Sequence, residues 1–389
     1  MRKVKVGVVG CGVISDVYLE NLTSTFKVTE VKACADLFPE KAREAADKFN
    51  VPKACSVEEL LADPEIEIVV NLTIPVAHTE INLAALNAGK HAYCEKPLAL
   101  NMEDAKKTME TAQDKNLLLG CAPDTFLGAG LQTCRKVIDD GMIGEPVAAT
   151  ANFVCHGHET WHPAPEFYYK EGAGPMMDMG PYYLTALVSL LGPISRLNCF
   201  ARKTFEERTI TSKMLKGQKI DVDVLTHYSG IMEFESGAIV NINKSFDVWL
   251  SNLPCMEIYG TEGTLIAPDP NFFGGPVKVL RGEDMVKSVD GLDVGEAVEK
   301  IHSEEMFEFF KEVPLIYDNI TDNMRGIGVV DMAYALTEGR KHRAGGDLIY
   351  HVTEALTSFD KSAKEGKIYE MTSTCDRPQE LPSGPEPGE

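Results

Sequence analysis

Lys5-Val6-Gly7-Val8-Val9-Gly10-Cys11-Gly12-Val13-Ile14-Ser15 is an apolar run that breaks at a pair of glycines and resumes as a segment able to start a helix. A buried strand, a tight turn and a helix N-terminus in that order predict the first β-α unit of a dinucleotide-binding sheet, with backbone N–H groups turned toward a pyrophosphate. Gly10 permits the turn, and Gly12 removes the side chain that would block the phosphates. Cys11, Val13 and Ile14 complete the turn as cofactor-binding positions, Cys11 through its backbone. Ser15 stands where the third glycine of the pattern usually lies and is small enough for close helix–strand packing. The next apolar run, from Val28 to Ala35, ends at Asp36, about twenty residues past the glycines. A carboxylate there accepts both ribose hydroxyls and repels a 2′-phosphate, which favours NAD. Leu37 follows where an NADP enzyme often carries a basic or small polar residue.

Working outward, residues 1–122 alternate strand and helix. Helices are expected from Glu40 to Phe49, from Val57 behind the N-cap Ser56, from His78 to Ala88 before Gly89, and behind the N-cap Asn101 to about Lys115. Strands are expected at Ile66–Leu72, His91–Cys94 and Leu117–Leu119. Repeated β-α units predict a doubly wound parallel sheet, a Rossmann domain. From 123 to 375 the rhythm changes to longer strands near 146–154, 197–204, 222–234, 238–246 and 256–260, with a hairpin at Ser236-Gly237. Helices at 176–191, 303–311 and 327–338 complete an α+β domain with a large, mostly antiparallel open sheet for substrate binding and oligomerisation. Residues 376–389, rich in Pro, Gly and Glu, read as a disordered tail.

The bulk numbers set bounds. At 389 residues the chain has room for two domains, and 44% hydrophobic with 25% charged residues is ordinary for a globular enzyme. A formal net charge of −21 argues against nucleic acid as a partner. No apolar run approaches the ~20 residues that span a membrane, and the N-terminus enters a strand with no signal-peptide pattern. Ten cysteines without a Cys-x-x-Cys pair read as free thiols in a reducing compartment, so the expectation is cytoplasmic.

Three clusters carry chemistry. Asn71-Leu72-Thr73-Ile74-Pro75-Val76-Ala77-His78 and Glu95-Lys96-Pro97 each follow a strand at the carboxyl edge, where open α/β sheets bind ligands. Gly172 to Tyr182 opens a helix in the second domain and includes Asp178-Met179-Gly180-Pro181-Tyr182. In these three clusters the chain resembles the Gfo/Idh/MocA family, the glucose–fructose oxidoreductases, inositol dehydrogenases and their relatives. The Glu-Lys-Pro motif, the Thr-x-Pro-x-x-His loop and the Asp-x-Gly helix match in order and approximate spacing over nearly the whole chain. Glu338-Gly339-Arg340-Lys341-His342-Arg343-Ala344 resembles a C-terminal family segment.

The resemblance implies NAD-dependent hydride transfer at a secondary carbinol of a sugar, glycoside or cyclitol. It implies that Lys96 hydrogen-bonds the reacting oxygen and favours alkoxide character, that Asp178 orients substrate or the acid/base, and that Asn71, Thr73, Pro75, His78 and Glu95 line the cofactor. A cis Lys96–Pro97 bond would aim the lysine inward. In many members the position four after the helix Asp is a histidine base; here it is Tyr182. A phenol, with a pKa near 10, needs nearby cations to act as base, so Tyr182 is one candidate. The other is His162, from His156-Gly157-His158-Glu159-Thr160-Trp161-His162, where Trp161 offers a ring to stack on a pyranose. The three histidines and glutamate have no standard metal spacing, and no metal is expected. Asp124, near a position where many relatives carry polar substrate contacts, is a substrate candidate or a helix cap. Two other readings stay open: a glycoside-cleaving enzyme using transient oxidation, and a non-catalytic NAD-binding regulator. The open sheet and the family pattern predict a homodimer or homotetramer.

Overall fold

The structure, a computed structural model, describes residues 2–382 and divides into two compact units. The first holds residues up to 127, 323–358 and those from 371 onward. Its sheet has six parallel strands: β1 (Val4–Val9), β2 (Thr29–Ala35), β3 (Ala54–Cys55), β4 (Ile68–Asn71), β5 (His91–Cys94) and β6 (Leu119–Cys121). They lie in the order β3-β2-β1-β4-β5-β6, the doubly wound arrangement expected from the β-α alternation. β1 and β4 are buried almost throughout, which is why both read as continuous apolar runs and not as alternating ones. Val9, Ala35, Leu60, Val69, Leu86 and Leu98 lie in the shared core.

The helices follow their caps. Val57–Ala62 begins in a capping box in which Ser56 and Glu59 exchange side chain-to-backbone bonds, and Asn101 accepts the Asp104 N–H ahead of Met102–Asp114. The strand expected at 117–119 lies two residues later. Pairing with β5 begins at Leu119 opposite Ala92, while the Leu118 N–H is taken by the His91 ring.

The contiguous partition at 122 and 375 does not hold. Residues 323–358 return to the first unit, and their helix Ile327–Glu338 packs beside β6 instead of belonging to the second domain. Asp124 is one of the ties that hold this segment. It is 1% exposed, and its Oδ2 accepts the N–H groups of Gly326 and Gly328 at 2.9 and 3.0 Å, at the start of that helix. Asp124 is therefore spent as a cap on a helix two hundred residues away, and the expectation that it faces substrate is corrected. The disordered tail is corrected in part as well. Carbonyls of Gln379 and Glu380 accept from the Arg343 guanidinium, and Leu381 is buried, while 383–389 lie outside the described residues.

The second unit, 128–322 with 359–370, carries the remaining strands. These are β7 (Pro146–Val154), β8 (Ile194–Arg202), β9 (Glu207–Thr209), β10 (Lys219–Asp221), β11 (His227–Phe234), β12 (Ile239–Ser245), β13 (Met256–Gly260), β14 (Gly263–Ala267), β15 (Val277–Arg281), β16 (Lys311–Val313) and β17 (Tyr369–Glu370). Nine of them form one sheet in the order β16-β15-β14-β13-β7-β12-β11-β8-β17. Every neighbouring pair is antiparallel except β12 with β7. The hairpin turns at Ser236-Gly237 as expected, with Gly237 at φ +87°. Alternation sorts the faces: Met232, Phe234, Val240 and Ile242 are buried under the helix Gly174–Leu191, while Phe200, Ile231 and Ile239 are exposed on the opposite face. The 303–311 helix is a 3-10 segment at Glu304–Phe309, and the helices Ala129–Asp139, Gly282–Val289 and Val294–Ile301 were not foreseen.

Burial raises the Asp124 carboxyl to about 6 against the pull of its two backbone donors. Its contribution to stability is thus complete below the ordinary carboxylate range and is lost as pH rises through about 6. Asp124→Ala strands two helix-terminal N–H groups and is expected to lower unfolding free energy by about 1–3 kcal/mol. Asp124→Asn keeps an acceptor without the buried charge. In urea titrations its stability relative to wild type should improve from about pH 5 to about pH 8.

Candidate cofactor and substrate sites

β1 ends in the turn the sequence announces. Gly10 has φ +98°, and a Cβ there would stand 2.6 Å from the Leu72 carbonyl carbon, so only glycine fits. A Cβ at Gly12 would meet nothing within 4 Å, which leaves that side of the turn open to a ligand. Ser15 is buried, and its hydroxyl bonds the Gly12 carbonyl at 2.6 Å, starting the short helix Ser15–Glu20. Asp36 reaches back across the turn: its Oδ2 accepts the Cys11 N–H at 2.7 Å and its Oδ1 the Phe38 N–H at 2.9 Å. Each carboxylate oxygen keeps lone-pair capacity for a ribose hydroxyl. Val13 (97%), Leu37 (85%), Ile74 (67%) and Val76 (69%) are exposed apolar side chains at the carboxyl ends of β1, β2 and β4. Backbone donors, an open glycine, a ribose-range carboxylate and apolar walls fit a dinucleotide.

The loops after β4 and β5 are tied to each other. Asn71 is 1% exposed; its amide donates to the His78 carbonyl at 3.0 Å and to Asn82 Oδ1 at 2.9 Å, and its oxygen accepts the Thr73 N–H and hydroxyl. Pro75 opens a single 3-10 turn. His78 is fully buried, with Nδ1 2.6 Å from the Pro97 carbonyl and Nε2 3.0 Å from the Thr73 carbonyl. Only a doubly protonated ring donates to both. Burial opposes that charge, but the neighbouring Cys94 thiol and the two carbonyls outweigh it and raise His78 to about 9. Cys94 moves the other way. Against burial, contacts with Cys121, His78 and Asn82 lower it to about 6.

Glu95 accepts the Tyr18 hydroxyl at 2.8 Å and the Lys96 N–H at 2.9 Å, which fixes the start of the Lys96–Pro97 turn, whose peptide bond is cis. Asn71, His78 and Glu95, expected as cofactor contacts, are thus spent on holding the loops. Tyr18, Asn82 and Cys94 were not anticipated. A tyrosine or cysteine at buried spacing carries no sequence signal of the contact it makes.

In the second unit Asp178 and Tyr182 sit one turn apart on Gly174–Leu191, which runs unbroken through Pro181. Tyr182 is 8% exposed. The three loop histidines have separate fates. His156 stacks on Trp249 with centroids 3.3 Å apart. His162 accepts the Ala164 N–H on Nδ1 at 3.0 Å and lies edge-on to Phe167 and Tyr168. His158 meets Asp178, Nε2 to Oδ2 at 3.4 Å. Trp161 is 61% exposed, which leaves its ring available for stacking. The loop is anchored by Glu159, which accepts from the buried Arg208 at 2.6 Å and from the Tyr169 hydroxyl, while Arg208 also pairs with Asp247. Among the described residues no group of three or more His, Cys, Asp or Glu is arranged to hold a metal ion, and no helix is long and apolar enough to cross a membrane. All ten cysteines are free.

The His78–Cys94 pairing has a spectroscopic consequence. The folded protein is expected to show thiolate ultraviolet absorbance at neutral pH. Acidification through about 6 protonates the sulfur and removes it, and Cys94→Ser abolishes it. Equal absorbance in wild type and Cys94→Ser would show that the pair is not ionised.

Residues 4–122 match the model of an oxidoreductase family with an NAD-binding Rossmann fold, and residues 131–266 match the GFO/IDH/MocA C-terminal domain. Among curated proteins, a levoglucosan dehydrogenase of Pseudarthrobacter phenanthrenivorans is 27% identical over 60% of this chain and 64% of its own length. A myo-inositol 2-dehydrogenase of Thermotoga maritima is 24% identical over 68% and 75%. The first matches take in 53%, 64% and 42% of the relatives' lengths, so the chain spans about half the length of the curated relatives it matches. Among solved structures, a levoglucosan dehydrogenase in complex with NADH superposes with TM-score 0.77 at 20% identity, covering 96% of this chain and all of that one. That likeness establishes the fold. With the two family models together taking in more than half of its residues, the chain belongs to the GFO/IDH/MocA oxidoreductase family.

Proposed function

We propose that the protein is an NAD-dependent oxidoreductase that transfers hydride between a secondary carbinol of a sugar, glycoside or cyclitol and NAD. The observation that carries this is a glycine turn and Lys96 at the carboxyl ends of strands of one sheet, with the lysine's turn fixed through Glu95 and Tyr18. NAD+, when bound, supplies the hydride acceptor. The turn at Gly10 and Gly12 would hold its pyrophosphate, with the Cys11 N–H spent on fixing Asp36, and Asp36 would hold its adenosine ribose. Lys96 would hydrogen-bond the reacting oxygen and stabilise negative charge as the hydride leaves. Asp178 would orient substrate hydroxyls, Tyr182 or a histidine of the 156–162 loop would manage the proton, and Trp161 would stack on a sugar face. The curated relatives named as levoglucosan and inositol dehydrogenases support this substrate class.

The test is a panel of cyclitols, free sugars and aryl glycosides with NAD+ or NADP+, followed by nicotinamide absorbance and by aglycone release. Net NADH formation with a preference for NAD+ is expected, and Lys96→Ala should lower kcat by about 10²–10³-fold while NADH binding persists. Aglycone release without net NADH would instead mark a glycoside-cleaving enzyme. NAD binding with neither response would mark a regulator.

The exposed sheet face supports self-association, because Phe200, Ile231 and Ile239 lie on it among polar neighbours and no helix of the unit covers them. A homodimer or homotetramer is expected by light scattering at micromolar protein, and Ile231→Lys should shift the mass toward the monomer. A wild-type monomer mass would overturn this.

A further inference from the structure

The geometry points to His158 as the positioning residue for Asp178, supplied by the 156–162 loop where the helix itself offers a tyrosine. The inference rests on the reading of Asp178 as the residue that orients substrate. His158 Nε2 lies 3.4 Å from Asp178 Oδ2, whereas its Nδ1 is buried and has no hydrogen-bond partner. The two neutral tautomers therefore differ sharply in cost. A proton on Nε2 gives the carboxylate a donor and leaves only a lone pair without a partner. A proton on Nδ1 strands a buried donor and turns a lone pair toward a carboxylate oxygen. A stranded buried donor costs about 1–3 kcal/mol, so the ring carries its proton on Nε2 and donates to Asp178.

The ring has little freedom to do otherwise. Tyr168 packs on it at a centroid distance of 4.0 Å, Phe246 at 4.6 Å and Trp161 at 5.3 Å. The adjacent residue fixes the backbone. Glu159 is 3% exposed and bound to Arg208, which is itself 4% exposed and joined to Asp247 and to the Phe246 carbonyl at 2.9 Å. Such a buried ion network is weak support for stability, but its ion pairs tie the backbone of this loop to Arg208 and through it to Asp247. The loop so tied presents His158 to Asp178. Tyr182, one turn beyond Asp178 on the same helix, occupies the place where the family pattern often has its histidine. In this chain the imidazole that meets the aspartate arrives from a different segment.

The role is separable from that of a proton acceptor by side-chain mimicry. Glutamine places an amide N–H where the imidazole Nε2–H lies, and asparagine places one nearer the Nδ1 position. His158→Ala is expected to lower kcat by about 10–100-fold, the range known for removing groups that orient metal ligands. KM and NADH affinity should stay within about threefold. His158→Gln should recover most of kcat, and His158→Asn should not. Nitrogen NMR of histidine-labelled protein should report the Nε2–H tautomer for His158 in wild type. A Gln variant as impaired as Ala, or an Nδ1–H tautomer, overturns the proposal. If no compound of the panel is turned over by wild type, the functional reading fails, and the tautomer measurement still decides the hydrogen bond. If the alanine variant does not fold, the Gln–Asn comparison carries the same decision.

Discussion

The passage of the chain at Gly10 over the Leu72–Thr73 peptide is the constraint on which the first unit depends. Any side chain at Gly10 would collide with backbone, so the turn after β1 and the loop after β4 form together. The same loop then continues through Asn71, Thr73 and His78 to the Pro97 carbonyl, and so to the turn that carries Lys96. The glycine turn after β1 and the turn that carries Lys96 thus belong to one connected chain of contacts. Its centre is a fully buried imidazole whose two ring nitrogens each meet a backbone carbonyl, without which they would be costly to bury.

Much of this was legible in the sequence where a residue's type is dictated by backbone geometry. Glycines at 10 and 12, the caps Ser56 and Asn101, the hairpin at Ser236-Gly237 and the apolar β1 and β4 each declare a local conformation, and each lies where expected. What was not legible depends on contacts far apart in sequence. Asp124 reads as a polar residue entering the second domain, and only the fold shows it capping 327–338. The return of 323–358 to the first unit follows from such contacts and leaves no mark in composition. Asn71, His78 and Glu95 were correctly placed at the ligand edge of the sheet. Their side chains are nonetheless occupied in organising it, a distinction that spacing alone cannot draw.

The second unit shows the same division. The pattern Asp178 to Tyr182 was visible, as was the histidine-rich loop, but not that His158 is the imidazole that meets Asp178, beside a Glu159 held by Arg208. That arginine lies about fifty residues beyond the loop on β9 and carries no recognisable motif. Its choice of Glu159 and Asp247 as partners sets the backbone of the loop, and aromatic packing then sets the ring of His158. Charge placement in the interior here specifies an orientation at the surface of a helix.

Asp36 carries a consequence for how this scaffold can change. Its carboxylate, at the carboxyl end of β2, is the acceptor for the Cys11 N–H inside the glycine turn. A substitution that admits a phosphorylated ribose by removing the negative charge therefore also releases a donor from the loop that must grip the pyrophosphate. With Asp36 as the ribose contact proposed above, coenzyme preference would be coupled to the conformation of the glycine turn itself. A lineage drifting toward the phosphorylated coenzyme would need a second, compensating acceptor near residue 11 before the first change could persist.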